Sequence, residues 1–298
     1  MEGRCLARFA RPRDISLEKK SIALARGDRQ EGRKETEPML SYQHAYHAGN
    51  LADVHKHALL ASALDYLTRK DKPLSYLETH AGRGLYALDG AEAAKTGEAA
   101  AGIARVEGLG WFAADHPYIR ALAAVRAQHG AQAYPGSPLV AQALLRPMDT
   151  IQLCELHPQE FSALRSATRR SGAVLHKADG REMALALTPP TPRRGMMLID
   201  PSFEEKADYT AMPKLIGHIA KKWNVGIIAL WYPMLASGAQ EAMVRALRRD
   251  FPEALSHEVR FPPAREGHGM IGSGMFIVNP PWGLAGEAER LSELFASL

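Results

Sequence analysis

Cysteine is nearly missing from this chain: Cys5 and Cys154 are the only two in 298 residues. Two thiols cannot form a disulfide framework, and Cys154 sits in an apolar run where a buried thiol is the ordinary outcome. A chain this long buries enough apolar surface to need no staple, so a reducing, cytoplasmic compartment is expected. Long hydrophobic runs are missing too. The longest apolar stretch, Val225 to Ala239, holds Pro233 and falls short of the roughly 20 residues that a membrane-crossing helix needs. Charge of one sign is not in excess: 37 Lys and Arg against 33 Asp and Glu leave a net +4. That balance excludes a dedicated polybasic binding protein, so any basic binding face must be local. No Walker loop and no Ser/His/Asp nucleophile signature occurs, which removes support for NTPase and hydrolase readings.

What is present falls into unlike segments. Residues 1–38 mix ten Lys/Arg with seven Asp/Glu and carry no periodic apolar stripe, so they are expected to form a weakly ordered extension. Glu2, Asp14 and Glu18 do not suit an acidic-poor transit peptide. A different kind of sequence begins at Met39. From Leu51 to Arg69 apolar residues recur at helical spacing, and Asn50 is a natural N-cap. Leu74 to Leu77 is a short apolar run feeding a glycine-containing turn. Residues 89–133 are alanine-rich and helical in character, with no convincing strand, and are expected to form a helical insertion. After Pro138, apolar runs at Thr150–Leu156, Ala173–His176, Gly195–Ile199 and Val225–Trp231 alternate with helical stretches. That is βαβ alternation, and near-continuous runs such as MMLID imply strands covered on both faces, hence a mostly parallel sheet. Leu255–Phe261 and Gly274–Val278, joined by a Gly-rich segment, suggest a terminal antiparallel pair.

The most specific motif is LIDPSFE, directly after the run ending at Ile199. An exocyclic adenine nitrogen is a poor nucleophile because its lone pair is delocalised into the ring. An enzyme that methylates it must localise that pair with hydrogen-bond acceptors, and Asp200 with the Pro201 carbonyl can do so. A flat side chain must hold the extruded base, and Phe203 offers one. The competing interpretation of an isolated Asp-Pro is a plain turn after a strand. In YLETHAGRGLY, glycines 82 and 84 let backbone approach a ligand closely, although two glycines alone also fit an ordinary strand-to-helix turn. Glu155, at the next strand end, is placed to accept from ribose hydroxyls. In KADG, Asp179 can take the amino group of an adenine while Gly180 leaves room for its ring. Each feature is common alone; in this order they describe an adenosyl pocket. His44, His47, His55 and His57 invite a metal interpretation, but HxxH followed by HxH is not a zinc spacing and no cysteine lies nearby, so no metal is expected. Tyr42 and Lys56 are available to touch a base or phosphate.

With these residues in place, the sequence resembles the RlmJ family of 23S rRNA (adenine-N6)-methyltransferases from Met39 to about Trp282. The segments SYQHAYHAGNLADVHKH, YLETHAGRGLY, YPGSPL, ELHP, KADG, MMLIDPSFE, ALWYP and SGMFIVNPPW run in family order. The resemblance implies a Rossmann-like class I methyltransferase fold over 39–298, with S-adenosylmethionine as cofactor. It also implies an adenine of 23S rRNA as substrate, adenine 2030 by the same likeness; separately, a monomer is expected. It assigns His57, His80, Ser137, Glu155, Asp179, Gly180 and Asp200 to the cofactor pocket. Asp200, Pro201 and Phe203 become the catalytic group, and Tyr42 and Lys56 the residues near the RNA. The sequence departs from the family's DPPY tetrapeptide at Ser202 and Phe203, which keeps the ring and loses a hydroxyl. The extension 1–38 matches nothing in the family. A DNA adenine-N6 methyltransferase and a non-catalytic RNA-binding relative are the alternatives.

Overall fold

The computed structural model describes residues 44–298 apart from 91–94, 96, 264–266 and 268. The extension 1–38 and Tyr42 lie outside these.

Helix α1 (Leu51–Thr68) begins where expected: the Asn50 side chain accepts from the Asp53 N–H at 2.9 Å. It is buried nearly all round, which amphipathic surface helices are not. Four polar side chains, Asp53, His55, Lys56 and His57, are therefore carried into the interior within little more than one turn, where each needs a partner.

A seven-stranded sheet follows. Its strands are β1 (Ser75–Glu78), β4 (Thr150–Cys154), β5 (Val174–His176), β6 (Gly195–Ile199), β7 (Ile227–Leu235), β8 (Leu255–Arg260) and β9 (Met270–Val278), in the order β5-β4-β1-β6-β7-β9-β8. The first five are parallel and β9 runs antiparallel to both β7 and β8. The antiparallel end is thus fused to the main sheet through β7. Side chains alternate between two cores. Tyr76, Met196, Leu198, Ala229 and Ile277 face α1, the insertion and α9 (Leu284–Ala296). Leu77, Met197, Ile199, Ile228 and Phe276 face α7 (Asp208–Lys222) and α8 (Glu241–Asp250). Period-two burial on both faces is what the continuous apolar runs required.

Two features differ from expectation. The helical insertion is framed by a small antiparallel pair, β2 (Leu85–Ala87) with β3 (Ala133–Pro135), of three residues each. Between them lie α2 (Arg105–Gly108) and α3 (Pro117–His129), and α4 (Ser137–Leu144) follows. Strand β7 also runs on through Pro233 to Leu235. Beyond Leu230 it pairs only with β9, and Pro233 stays in register opposite Ser273. The order reverses at β1, with β4 on one side and β6 on the other, and the carboxyl ends there form the natural ligand crevice of such sheets. Two more helices complete it, α5 (Pro158–Ala167) after β4 and α6 (Gly180–Leu187) after β5.

Candidate active site

The crevice has one wall made mostly of backbone. Gly82, at φ +59°, turns its N–H to Glu155 Oε2 at 2.8 Å, while the His157 N–H reaches Glu155 Oε1 at 2.7 Å. Burial raises the Glu155 carboxyl above its usual range, and these two N–H groups oppose that rise. Each of its oxygens retains a lone pair for a further donor such as a ribose hydroxyl. Asp179 caps α6, accepting from the N–H groups of Arg181 (2.7 Å) and Glu182 (3.2 Å), and its other oxygen holds the Arg181 guanidinium at 3.1 Å. Much of the accepting capacity expected for an adenine is thus engaged in capping. Gly180 lies under Thr79: a Cβ there would sit 2.2 Å from the Thr79 carbonyl, so only glycine lets the β1 and β5 ends close up. Burial pushes the His80 imidazole down to about 4, against the pull of Asp200 and Asp179, so both carboxylates act on one ring.

The opposite wall is made of side chains. Asp200 follows β6, and its Oδ2 accepts from Lys56 Nζ at 2.7 Å. The same ammonium lies 3.1 Å from Asp53 Oδ1, and Asp53 Oδ2 takes the Gly49 N–H and bonds His44 Nε2, each at 2.9 Å. Burial works against the Lys56 charge, but Asp200 and then Asp53 outweigh it and raise its pKa. Lys56 is 4% exposed and is held inside the site, not on a surface where RNA phosphates would meet it. The Trp231 ring lies 5.4 Å from its Nζ, within cation–π range. Trp231 and Asp200 each follow the last pair of the β6–β7 ladder, Leu230 with Ile199. Phe203 adopts a left-handed backbone, φ 55°, unusual for a bulky residue and typical of sites where surroundings over-determine a turn. Its ring packs 4.8 Å from Tyr209 and 6.4 Å from Trp231 and is mostly buried, so at most one face is available to a base.

Between the walls lies Glu78, fully buried at the end of β1. Tyr76 Oη donates to it at 2.9 Å, and Ser137 Oγ, at the start of α4, makes a second, short bond. Burial pushes its carboxyl up to about 8, against the opposing effect of those two bonds. His57 bonds Tyr134 Oη through Nδ1 at 3.0 Å, and its buried Nε2 has no partner. Burial takes its imidazole down to about 3.

The structure therefore places His80, Glu155, Asp179, Gly180, Asp200, Pro201 and Phe203 just beyond the carboxyl ends of β1, β4, β5 and β6, with Lys56 locked to Asp200. Ser137 and His57 reach it from the insertion side through Glu78 and Tyr134. The histidines that suggested a metal diverge: His44 goes to Asp53, His47 to Glu98, His55 to Ser273 and His257, and His57 to Tyr134. Sequence reasoning passed over Asp53, Glu78, Trp231 and Tyr209. For Glu78 a signal existed, an acid at the end of the strand that opens into THAGRG; for Trp231 there was only an aromatic in an apolar run.

Comparison with known proteins decides the family. Residues 71–297 match the family model described as "Ribosomal RNA large subunit methyltransferase D, RlmJ". The chain is a member of that family. It is 42% identical over 253 residues to Ribosomal RNA large subunit methyltransferase J of Escherichia coli K12, covering 83% of this chain and 89% of the relative. The Haemophilus influenzae protein of the same name is 37% identical over 263 residues, with 85% and 92% covered. A crystal structure of a Legionella pneumophila protein superposes with a TM-score of 0.75 at 35% identity, covering 84% of this chain and 93% of that one. The RlmJ-family chain thus has the Rossmann-like class I methyltransferase fold that its strand order describes, and S-adenosylmethionine is the cofactor of that fold. The crevice fits it: two strand-end carboxylates, a buried imidazole nitrogen left without a partner, and two glycine positions that no Cβ could occupy undisturbed. Among the described residues, no helix is long and apolar enough to cross a membrane.

Proposed function

We propose that this chain methylates the exocyclic N6 of one adenine in 23S rRNA, adenine 2030 by family resemblance, using S-adenosylmethionine, as a cytoplasmic monomer. The observation that carries this reading is the Lys56–Asp200 pair at the end of β6. The ammonium takes Oδ2 and leaves Oδ1 with no hydrogen bond among the described residues, and Phe203, three residues on, sets its ring 6.4 Å from that of Trp231. The cofactor supplies an electrophilic methyl group on a sulfonium.

The chain's own part is positioning. Asp200 Oδ1 accepts one N6–H of the extruded base and the Pro201 carbonyl accepts the other, which localises the nitrogen lone pair on the side facing the cofactor wall. Phe203 supports the ring, and Trp231 closes the corner. Lys56 keeps Asp200 from turning away, and Asp53 with His44 keeps Lys56 in place. Glu155, Asp179 with Gly180, His80, His57 and Ser137 are the residues assigned to hold the cofactor. Fixed geometry and exclusion of water account for the acceleration, with no covalent attachment to the protein.

Protein-free 23S rRNA and duplex DNA, offered with methyl-labelled S-adenosylmethionine, test the substrate. Label on one rRNA adenine and none on DNA is the expected result. Preferential labelling of DNA would replace the RNA reading, and RNA binding without any label would point to a non-catalytic relative.

A further inference from the structure

His55, on α1 and fully buried, belongs to a chain of hydrogen bonds that the reaction described above does not use. Its Nδ1 lies 2.8 Å from Ser273 Oγ on β9, and its Nε2 lies 2.9 Å from His257 Nδ1 on β8. His257 Nε2 in turn lies 2.8 Å from Ser292 Oγ on α9. At the other end, the Trp231 indole N–H donates to Ser273 Oγ at 2.9 Å.

The direction of this chain follows from one fact: an indole N–H can only donate. Ser273 must accept from Trp231, and its own hydrogen is left for His55 Nδ1. His55 then carries its hydrogen on Nε2 and donates to His257 Nδ1, and His257 donates from Nε2 to Ser292. The reverse order would strand the Ser273 hydroxyl hydrogen in a fully buried place, a costly arrangement. Burial lowers both imidazoles below their usual range, and the neutral forms are what a single-file chain needs.

Satisfying two buried histidines explains the middle of the chain but not where it ends. Trp231 is half-buried, follows the last β6–β7 register pair, and has Lys56 Nζ, the group bonded to Asp200, 5.4 Å and the Phe203 ring 6.4 Å from its own ring. Resting on the function proposed above, we infer that His55 and Ser273 are positioning residues for Trp231, tying the indole that corners the substrate adenine to the C-terminal helix α9 through His257 and Ser292. An untethered indole could rotate about its side-chain bonds, loosening both the cover over Lys56 and the aromatic corner.

A double-mutant cycle on the full chain tests this. Ser273→Ala is expected to lower kcat/KM for 23S rRNA about tenfold, as small misplacements at a reacting centre do, with S-adenosylmethionine affinity unchanged. Ser273→Thr, which keeps the hydroxyl, should restore most of the rate. In a Trp231→Phe background, which has no N–H to hold, Ser273→Ala should have no further effect on rate. Full multiplication of the two effects, or a Ser273→Ala variant that loses only thermal stability, would overturn the inference. If Ser273→Ala fails to fold, Ser292→Ala takes its place in the same cycle, with a smaller loss expected and the same two contrary outcomes. The Trp231 indole N–H resonance gives a readout independent of activity. It should move in Ser292→Ala if the chain connects, and an unmoved resonance would overturn the tether. A wild type that labels no adenine would sink the functional reading instead, and the two failures are thereby told apart.

Discussion

The two walls of the crevice are built by different means. On the cofactor side, Glu155 and Asp179 are held by backbone N–H groups within three residues or just across a strand end, and Gly82 and Gly180 permit the close approach. On the acceptor side, Asp200 is held by a side chain 144 positions earlier, and Lys56 is itself held by Asp53. A backbone-built wall tolerates change in its side-chain surroundings. A wall built from a buried ion pair fails when either partner goes, because the survivor is left charged without compensation.

Substitutions on the acceptor wall should therefore have the largest effects. Asp200→Ala removes the acceptor itself, and methyl transfer to 23S rRNA is expected to fall by at least about a thousandfold; near wild-type kcat would remove Asp200 from the chemistry. Lys56→Met leaves Asp200 and Asp53 as neighbouring carboxylates without their cation. It should destabilise the fold by about 3–5 kcal/mol, measured by urea unfolding, and lower turnover in whatever fraction folds. If Lys56→Met were as stable as wild type, the description of this wall as held by an ion pair would be wrong.

Smaller effects sharpen the contrast. Phe203→Ala should cost about 1–3 kcal/mol of RNA affinity with unchanged cofactor affinity in calorimetry, whereas Gly180→Ala should do the reverse. The added methyl meets the Thr79 carbonyl and forces the β1 and β5 ends apart, at a cost of about 1–3 kcal/mol. If each variant weakened both ligands equally, the walls would not be separable.

A different kind of effect, on pH dependence, concerns Glu78, between the walls. Its carboxyl is raised by burial from 4.5 to about 8 in the folded chain. Folding therefore favours the protonated form: its contribution is fully present below 4.5 and is lost as pH rises through about 8. Urea midpoints across that window should fall with rising pH more in wild type than in Glu78→Gln. Parallel curves would contradict the assignment.

The same contrast explains what could be read from the amino-acid order. Strand β6 and the start of α1 were legible because their determinants are local: five consecutive buried residues in one case, an Asn side chain reaching three residues ahead in the other. The carboxylates at the strand ends were legible for the same reason, although the turning of Asp179 into the α6 cap was not. The β2–β3 pair escaped because three residues carry no usable period. Lys56 was legible only as a cation near a site, since nothing within α1 shows that residue 200 will stand 2.7 Å away. Trp231 was hidden because an aromatic at the end of a buried strand ordinarily means packing, and its role depends on Ser273, which lies on another strand.

One measurement bears on the central claim most directly: methyl-labelled S-adenosylmethionine incubated with unmodified 23S rRNA, followed by mapping of the labelled nucleotide, for wild type and Asp200→Asn side by side. The expected result is N6-methyladenine at a single position with wild type and essentially none with the variant. Equal labelling by the two proteins, or label on an atom other than an adenine N6, would contradict it.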